Sequence, residues 1–400
     1  MALVLRLLDV FSGAGGLALG WLKAAGPGGA QLVTAVDRDP ALREVFAYNY
    51  PDTRYVEYAI DPNPGDLSTN ALLEMLDLPE GSVDVVLAGP PCQTLSRAGK
   101  RLDHPDNRLL LRVCDIIERV RPRLFVIENV PEIGWVQDGR LLGRAMVRLG
   151  EAGYVAESAL LNASMFGVPQ VRMRNFIVGA RSPLVKRDRL HPSATHVGWN
   201  SARDAIRIQM IKLEASSEPP KVALPSCPGV ADAIGDLPPL AAGSRYDGLL
   251  ESPATSDYQR RLRGRSRHVY NHAAVSHSAE LVQALARLGP GDTPQSMADH
   301  PLRKKDYFRS AYARLHPDGP APTLTTQTHN PGSGRFTHYR DARVLTVREV
   351  ARLQGFPDDF KFFGLDETQR RHVGNAVPPI LAEAIAHHLI AVLHESAAST

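Results

Sequence analysis

Cysteine is scarce in this chain of 400 residues: Cys92, Cys114 and Cys227 are all there are, and no two form a C-x-x-C pair. Three thiols cannot make a disulfide framework, so the sequence points to a reducing cytosol. Long hydrophobic runs are missing too. Apolar stretches reach about ten residues, too few to cross a bilayer as a helix. Met1 to Phe11 holds one Arg and no cleavage pattern follows, so no signal peptide and no membrane association are expected. Charge of one sign is weak, at net +3, and no internal repeat is evident. What is present is 44% hydrophobic and 22% charged residues, enough to build a core and too apolar for disorder. The length suits two or three domains, or one large domain with an insertion.

The charge is unevenly spread. Residues 181–320 hold 20 Lys and Arg against 14 Asp and Glu, a net +6 inside a frame of net −3. The first 180 residues alternate strand and helix signals. Strands are expected at Leu3–Phe11, Leu32–Val36, Val83–Ala88, Leu124–Ile127 and Phe176–Val178, with helices following Gly16 and spanning 107–120. That alternation implies a doubly wound, mostly parallel sheet of the α/β class. Residues 181–330 are rich in Pro, Ser, Arg and His and lack periodicity. They read as a loop-rich second domain, with an irregular connector over 214–229 and a basic run RRLRGRSRH over 260–268 that suits phosphates. Order returns with Thr346-x-x-Glu349, a capping box that opens a helix over Val347–Gln354, closed by Gly355 and Pro357. Pro378-Pro379 can open a last helix, with Leu381, Ile385, Leu389 and Val392 on one buried face.

The chemically suggestive residues share one location. Ser12–Gly16, Asp37, Pro90–Cys92 and Glu128 each follow the carboxyl end of an expected strand, the edge where open α/β sheets bind ligands. Gly13-x-Gly15-Gly16 lets backbone approach a ligand, and Asp37, about 20 residues on, can accept from ribose hydroxyls. An adenosine-containing cofactor follows, and Ala18 completes a G-x-G-x-x-A pattern that leaves a nicotinamide dinucleotide open. Cys92, after two prolines, reads as a presented nucleophilic thiol. Glu128 ends an apolar strand, where a partly desolvated carboxyl can stay protonated and donate to a ring nitrogen. Gln170, Arg172 and Arg174 alternate onto one face. His268, His272, His277 and Cys227 lack the cysteine pair of a zinc site, so no metal is expected.

FSGAGGL at 11–17, GPPCQTLS at 89–96, ENV at 128–130, QVRMR at 170–174, RVLTVREVARLQGFPDDF at 343–360 and GNAVPP at 374–379 occur in that order. Together they resemble the bacterial DNA (cytosine-5) methyltransferases. The resemblance implies a Rossmann-like S-adenosylmethionine domain over 1–180, an inserted target-recognition domain over 181–334, and a return segment over 335–400 that completes the catalytic domain. It implies methyl transfer from S-adenosylmethionine to C5 of a flipped cytosine in double-stranded DNA. Cys92 would add to C6 and Glu128 bond N3 and the exocyclic amine. Arg174 would meet O2 and orient Glu128, with Arg172 in support. Phe11, Ser12, Gly13, Gly15, Gly16, Leu17, Pro90, Asn375 and Ala376 would frame the cofactor. Asp37 would take the ribose. Asp66, with Asp61 as rival, would take the adenine amine.

This sequence departs from the family pattern in having Asp37 where a Glu is common, and Thr94 and Leu95 after PCQ. The resemblance further implies a monomer in the bacterial cytosol, with a cognate restriction endonuclease as candidate partner. A transfer-RNA substrate and a non-catalytic DNA binder are the rival readings.

Overall fold

The computed structural model describes residues 4–63, 68–91, 105–182, 189–198, 223–264, 266–303 and 310–398. The chain divides into two compact units. Met1–Leu161, Met173–Ser193 and Leu381–Thr400 form the first, and Asn162–Arg172 with Ala194–Ile380 form the second.

The first unit is built on a sheet. Its elements are β1 (Leu5–Val10), α1 (Gly16–Ala25), β2 (Ala30–Asp37), α2 (Leu42–Asn49), β3 (Arg54–Glu57), α3 (Ser68–Leu76), β4 (Val85–Ala88), α4 (Leu109–Val120), β5 (Leu124–Asn129), α5 (Arg140–Glu151), β6 (Tyr154–Asn162) and β7 (Met173–Arg181). The strand order is β3-β2-β1-β4-β5-β7-β6. β1 through β5 pair in parallel, and β7 runs antiparallel to β5. β4 and β5 are buried along their whole length, which explains their near-continuous apolar sequence. The α/β class and the expected strands are present. β3 and β6 are additional: each is short or half-exposed and carries no long apolar run.

The second unit contains α6 (Val230–Ile234), β8 (Arg245–Leu249), α7 (Asp257–Arg263), β9 (His268–Ala273), α8 (Ala279–Ala286), α9 (Val347–Gln354) and α10 (Asp366–Asn375). β8 and β9 form an antiparallel pair. All eight residues of α9 are buried, among them Arg348 and Arg352. Arg352 reaches Asp358 at 2.6 Å and also Asp236, which pairs in turn with Arg263. Arg343 holds Glu349 and Asp341, each at 2.8 Å. Buried charges persist when they are paired or fully hydrogen-bonded. They tie α9 to neighbours of its own unit, and the first unit takes up the chain again at Leu381.

The last helix, α11 (Pro379–Ala398), buries Leu381, Ile385, Leu389 and Val392 as their spacing predicts. Residues 366–395 are long and apolar enough to cross a membrane by length and composition alone, more so than the sequence runs suggested. Even so, 67% of the most apolar window is buried, and α10 and α11 are separated at 376–378.

Candidate active site

The turn from β1 into α1 is shaped by two glycines for different reasons. Gly13 has φ +50°, and a Cβ there would meet nothing within 4 Å, so the backbone faces open space. Gly15 has φ +77°, and a Cβ there would lie 2.7 Å from the Tyr50 hydroxyl. That hydroxyl donates to the Gly15 carbonyl at 2.8 Å. Phe11 is a non-glycine residue at φ 55°, a conformation held only when its surroundings over-determine it. The Ser12 amide bonds the Val36 carbonyl at 3.1 Å, which fastens the turn to the end of β2. The Ser12 hydroxyl is buried and has no partner among the described residues. Gly16 and Leu17 open α1 and are buried.

Asp37 closes β2. One carboxylate oxygen accepts from the Gly13 amide at 2.8 Å, the other from the Asp39 amide at 3.1 Å. Burial raises its pKa, and the two amides oppose that. Asp37 also interacts electrostatically with Asp9, which is 1% exposed and has Oδ2 unpartnered among the described residues. Desolvation, then the Asp37 charge, push the Asp9 carboxyl up to about 8 against a bond from the Ala18 amide. Open space over Gly13, an unpartnered Ser12 hydroxyl and an acid at the end of β2 fit the adenosine part of a cofactor.

The parallel β4 and β5 bring two further strand ends to the same edge. The Gly89 amide bonds the Val10 carbonyl at 3.2 Å. Asn129 donates through Nδ2 to the Pro90 carbonyl at 3.2 Å and accepts from the Val130 amide at 2.8 Å. It thereby fixes the base of the loop that leads to Cys92. Since β7 is antiparallel to β5, its first residues return to the carboxyl edge. Arg174 Nε lies 2.9 Å from Glu128 Oε1, with both side chains largely buried. Arg174 also donates to the Met173 carbonyl at 2.7 Å.

The first unit thus gathers Phe11 to Leu17, Asp37, Pro90, Glu128 and Arg174 at one sheet edge. Gln170 and Arg172 precede β7, which begins at Met173. Gln170 and Arg172 belong to the second unit and bind protein groups. Gln170 accepts from the Leu324 amide at 3.0 Å and donates to Gln354. Arg172, 1% exposed, donates to the Leu324 carbonyl at 3.1 Å and the Gly374 carbonyl at 3.0 Å. Its guanidinium braces backbone at both carbonyls. Asn375 is exposed and Ala376 buried at the end of α10, where Gln354 bonds the carbonyls of Val373 and Ala376.

Cys92 and Asp66 lie outside the described residues, as do Thr94 and Leu95. Asp61 accepts from the Asn63 amide at 2.8 Å. Burial pushes both Cys114 and Cys227 up to about 12, so neither is a nucleophile near neutral pH. His272 is engaged by Thr346 and Pro238, and His268 by Asp247. Sequence reasoning missed Tyr50, Asp9 and the tether made by Asn129. Only Asn129 stood inside a quoted motif.

A doubly wound sheet with a Gly-rich β1–α1 turn, an acid closing β2 and a Glu–Arg pair at the next strand ends defines a Rossmann-like methyltransferase. The C-5 cytosine-specific DNA methylase family matches residues 5–391, and the chain belongs to it: it is a DNA (cytosine-5)-methyltransferase. Type II methyltransferase M1.HphI of Haemophilus parahaemolyticus is 30% identical over 96% of this chain and 87% of its own length. Type II methyltransferase M.AgeI of Thalassovita gelatinovora is 29% identical over 96% and 98%. A solved E. coli prophage protein, assigned as a DNA modification methyltransferase, superposes with TM-score 0.70 at 26% identity, covering 98% of this chain and 99% of its own. The methyltransferase Dnmt2 of S. pombe shares the fold at TM-score 0.54 and 16% identity, covering 98% of each chain.

Proposed function

We propose that this enzyme methylates C5 of a cytosine flipped out of duplex DNA, at a specific sequence, through a transient bond from Cys92 to C6. The observation that carries the reading is the Glu128–Arg174 pair, held 2.9 Å apart beside the loop base that Asn129 fixes. Cytosine C5 is too weak a nucleophile to take a methyl group unaided. The Cys92 thiolate adds to C6, and the displaced electron pair makes C5 nucleophilic. Glu128 bonds N3 and the exocyclic amine and so stabilises the developing charge, while Arg174 orients Glu128 and meets O2. S-adenosylmethionine, when bound, supplies the electrophilic methyl. Loss of the C5 proton then lets the Sγ–C6 bond break, returning the thiolate. A stacked cytosine cannot offer C6 to a thiol, so the base leaves the helix.

On the cofactor side, Phe11 packs on the adenine, and Asp37 keeps lone pairs for the ribose after accepting its two amides. Asp66, or Asp61, takes the adenine amine. Ser12, Gly13, Gly15, Gly16, Leu17 and Pro90 line the remainder, with Asn375 and Ala376 at its methionine end. The second unit reads the target sequence. A monomer in the bacterial cytosol, with no metal and a cognate restriction endonuclease as partner, completes the proposal.

The test is transfer of labelled methyl from S-adenosylmethionine to duplex DNA, with bulk RNA and Cys92→Ser as parallel arms. Label in DNA that is lost in the variant is expected. Label in RNA alone, or full activity in Cys92→Ser, overturns the reading.

A further inference from the structure

We infer that the groove between α4 and α5 is a second contact surface for the DNA backbone, taking phosphates of the duplex that flanks the target base. The inference rests on duplex DNA being the substrate. The groove encloses about 890 Å³ and carries Arg108, Arg112, Arg140, Arg144 and Arg148 around a floor that includes Leu111 and Leu141. α4 follows β4 and α5 follows β5, so the first turns of both helices stand at the carboxyl edge of the sheet, where the cytosine must arrive.

The acidic residues nearby neutralise only part of this charge. Asp115 pairs with Arg112 at 2.9 Å and with Arg148 at 2.7 Å, and Glu118 also holds Arg148. Arg140 faces Asp138 at 3.6 Å, with both side chains mostly exposed, a geometry of little strength in water. Arg108 and Arg144 are exposed and have no carboxylate partner among the described residues. Arg140, Arg144 and Arg148 stand four residues apart on one stripe of α5, about 6 Å per step. A duplex offers one negative charge per about 1.7 Å of its axis, so each cation can meet its own phosphate. The guanidinium fork matches phosphate oxygens.

A second observation points the same way. The basic run over 260–268 is the phosphate contact that the sequence suggests, yet Arg263 is tied to the buried Asp236 and Arg260 to Asp257. Part of the expected phosphate-binding charge is therefore committed within the second unit.

The experiment measures binding to sonicated genomic duplex over a salt series, for wild type, Arg108→Ala/Arg144→Ala and Arg108→Lys/Arg144→Lys. Loss of two phosphate contacts flattens the slope of log K against log salt by about 2 in the alanine variant, and lysine restores it. KM for DNA rises while kcat at saturating DNA is unchanged. Arg119→Ala, at the far end of α4, controls for net charge. An unchanged slope in the double variant, or equal flattening per residue in Arg119→Ala, overturns the inference. Failure of the substrate reading is distinguishable, because the wild type then transfers no methyl to DNA at all.

Discussion

At the scale of single residues, the structure separates an arginine that braces backbone from one that faces a carboxylate. Arg172 and Arg174 are two positions apart and both belong to one motif, yet their roles differ. Arg172 is closed in by the Leu324 and Gly374 carbonyls, 152 and 202 residues away in sequence. Arg174 places Nε 2.9 Å from a Glu128 carboxylate oxygen. A lysine at 174 keeps the positive charge and loses both the Nε geometry and the planar fork. Arg174→Lys is therefore expected to lower kcat about a hundred-fold, the lower end of the range for losing one preorganised donor. Affinity for S-adenosylmethionine should stay as in the wild type, since Arg174 is engaged by Glu128 and the Met173 carbonyl. Single-turnover methyl transfer and equilibrium cofactor binding measure the two quantities. A loss confined to cofactor affinity would refute the assignment. The basic run teaches the complementary lesson: Arg263 looks like a free cation in the sequence, but it is a strut against Asp236.

Among the elements, α9 shows how much a short sequence pattern can reveal and where it stops. The capping box was legible because its two halves lie three residues apart. Thr346 accepts from the Glu349 amide at 3.2 Å, and Glu349 accepts from the Thr346 amide at 2.7 Å. What the pattern could not reveal is that Glu349 also takes both forks of Arg343, at 2.8 Å each. Burial alone would raise that carboxyl, but Arg343 and then His338 hold it well below the usual range. Glu349→Gln leaves a buried guanidinium without its carboxylate, and a loss of about 3–5 kcal/mol of stability is expected. Thr346→Ala removes the neutral half of the cap together with the bond to His272 Nδ1, and should lose about 2 kcal/mol. Urea unfolding of the two variants checks the order, and equal losses would mean that the ion pair adds nothing beyond the cap. The sheet was legible for a similar reason. β1, β2, β4 and β5 are apolar runs that stop at Gly, Pro or acid, whereas β3, with one buried residue in four, gives no such signal.

Across the whole molecule, the Gly-rich turn and the acids that end strands could be read from the sequence because glycines, prolines and carboxylates announce themselves locally. The buried ion pairs could not, because they join partners far apart, such as Arg352 with Asp236. The two units also carry opposite linkages to pH. In the first, Asp9 has its folded pKa raised from 3.8 to about 8, by desolvation and then by Asp37. Its contribution is fully present below pH 3.8 and is lost as pH rises to about 8, because only the unfolded chain ionises it freely over that interval. In the second, burial lowers His338 from 6.5 to about 4, with Glu349 opposing, Arg343 assisting, Asp341 opposing and Arg340 assisting. Its contribution is present above pH 6.5 and is lost as pH falls to about 4, because the unfolded chain takes the proton first. Each shift corresponds to several kcal/mol at about 1.4 kcal/mol per unit, so both should be visible in unfolding free energies measured from pH 4 to 8. Asp9→Asn is expected to remove a fall in stability of about one proton's slope across the whole interval from pH 4 to 8. His338→Gln acts only below about pH 6.5, where it unmasks the opposing Asp9 slope, and leaves the limb from 6.5 to 8 unchanged. If His338→Gln alters the limb above pH 6.5, or Asp9→Asn leaves that limb unaltered, the two groups do not set the pH dependence of this fold.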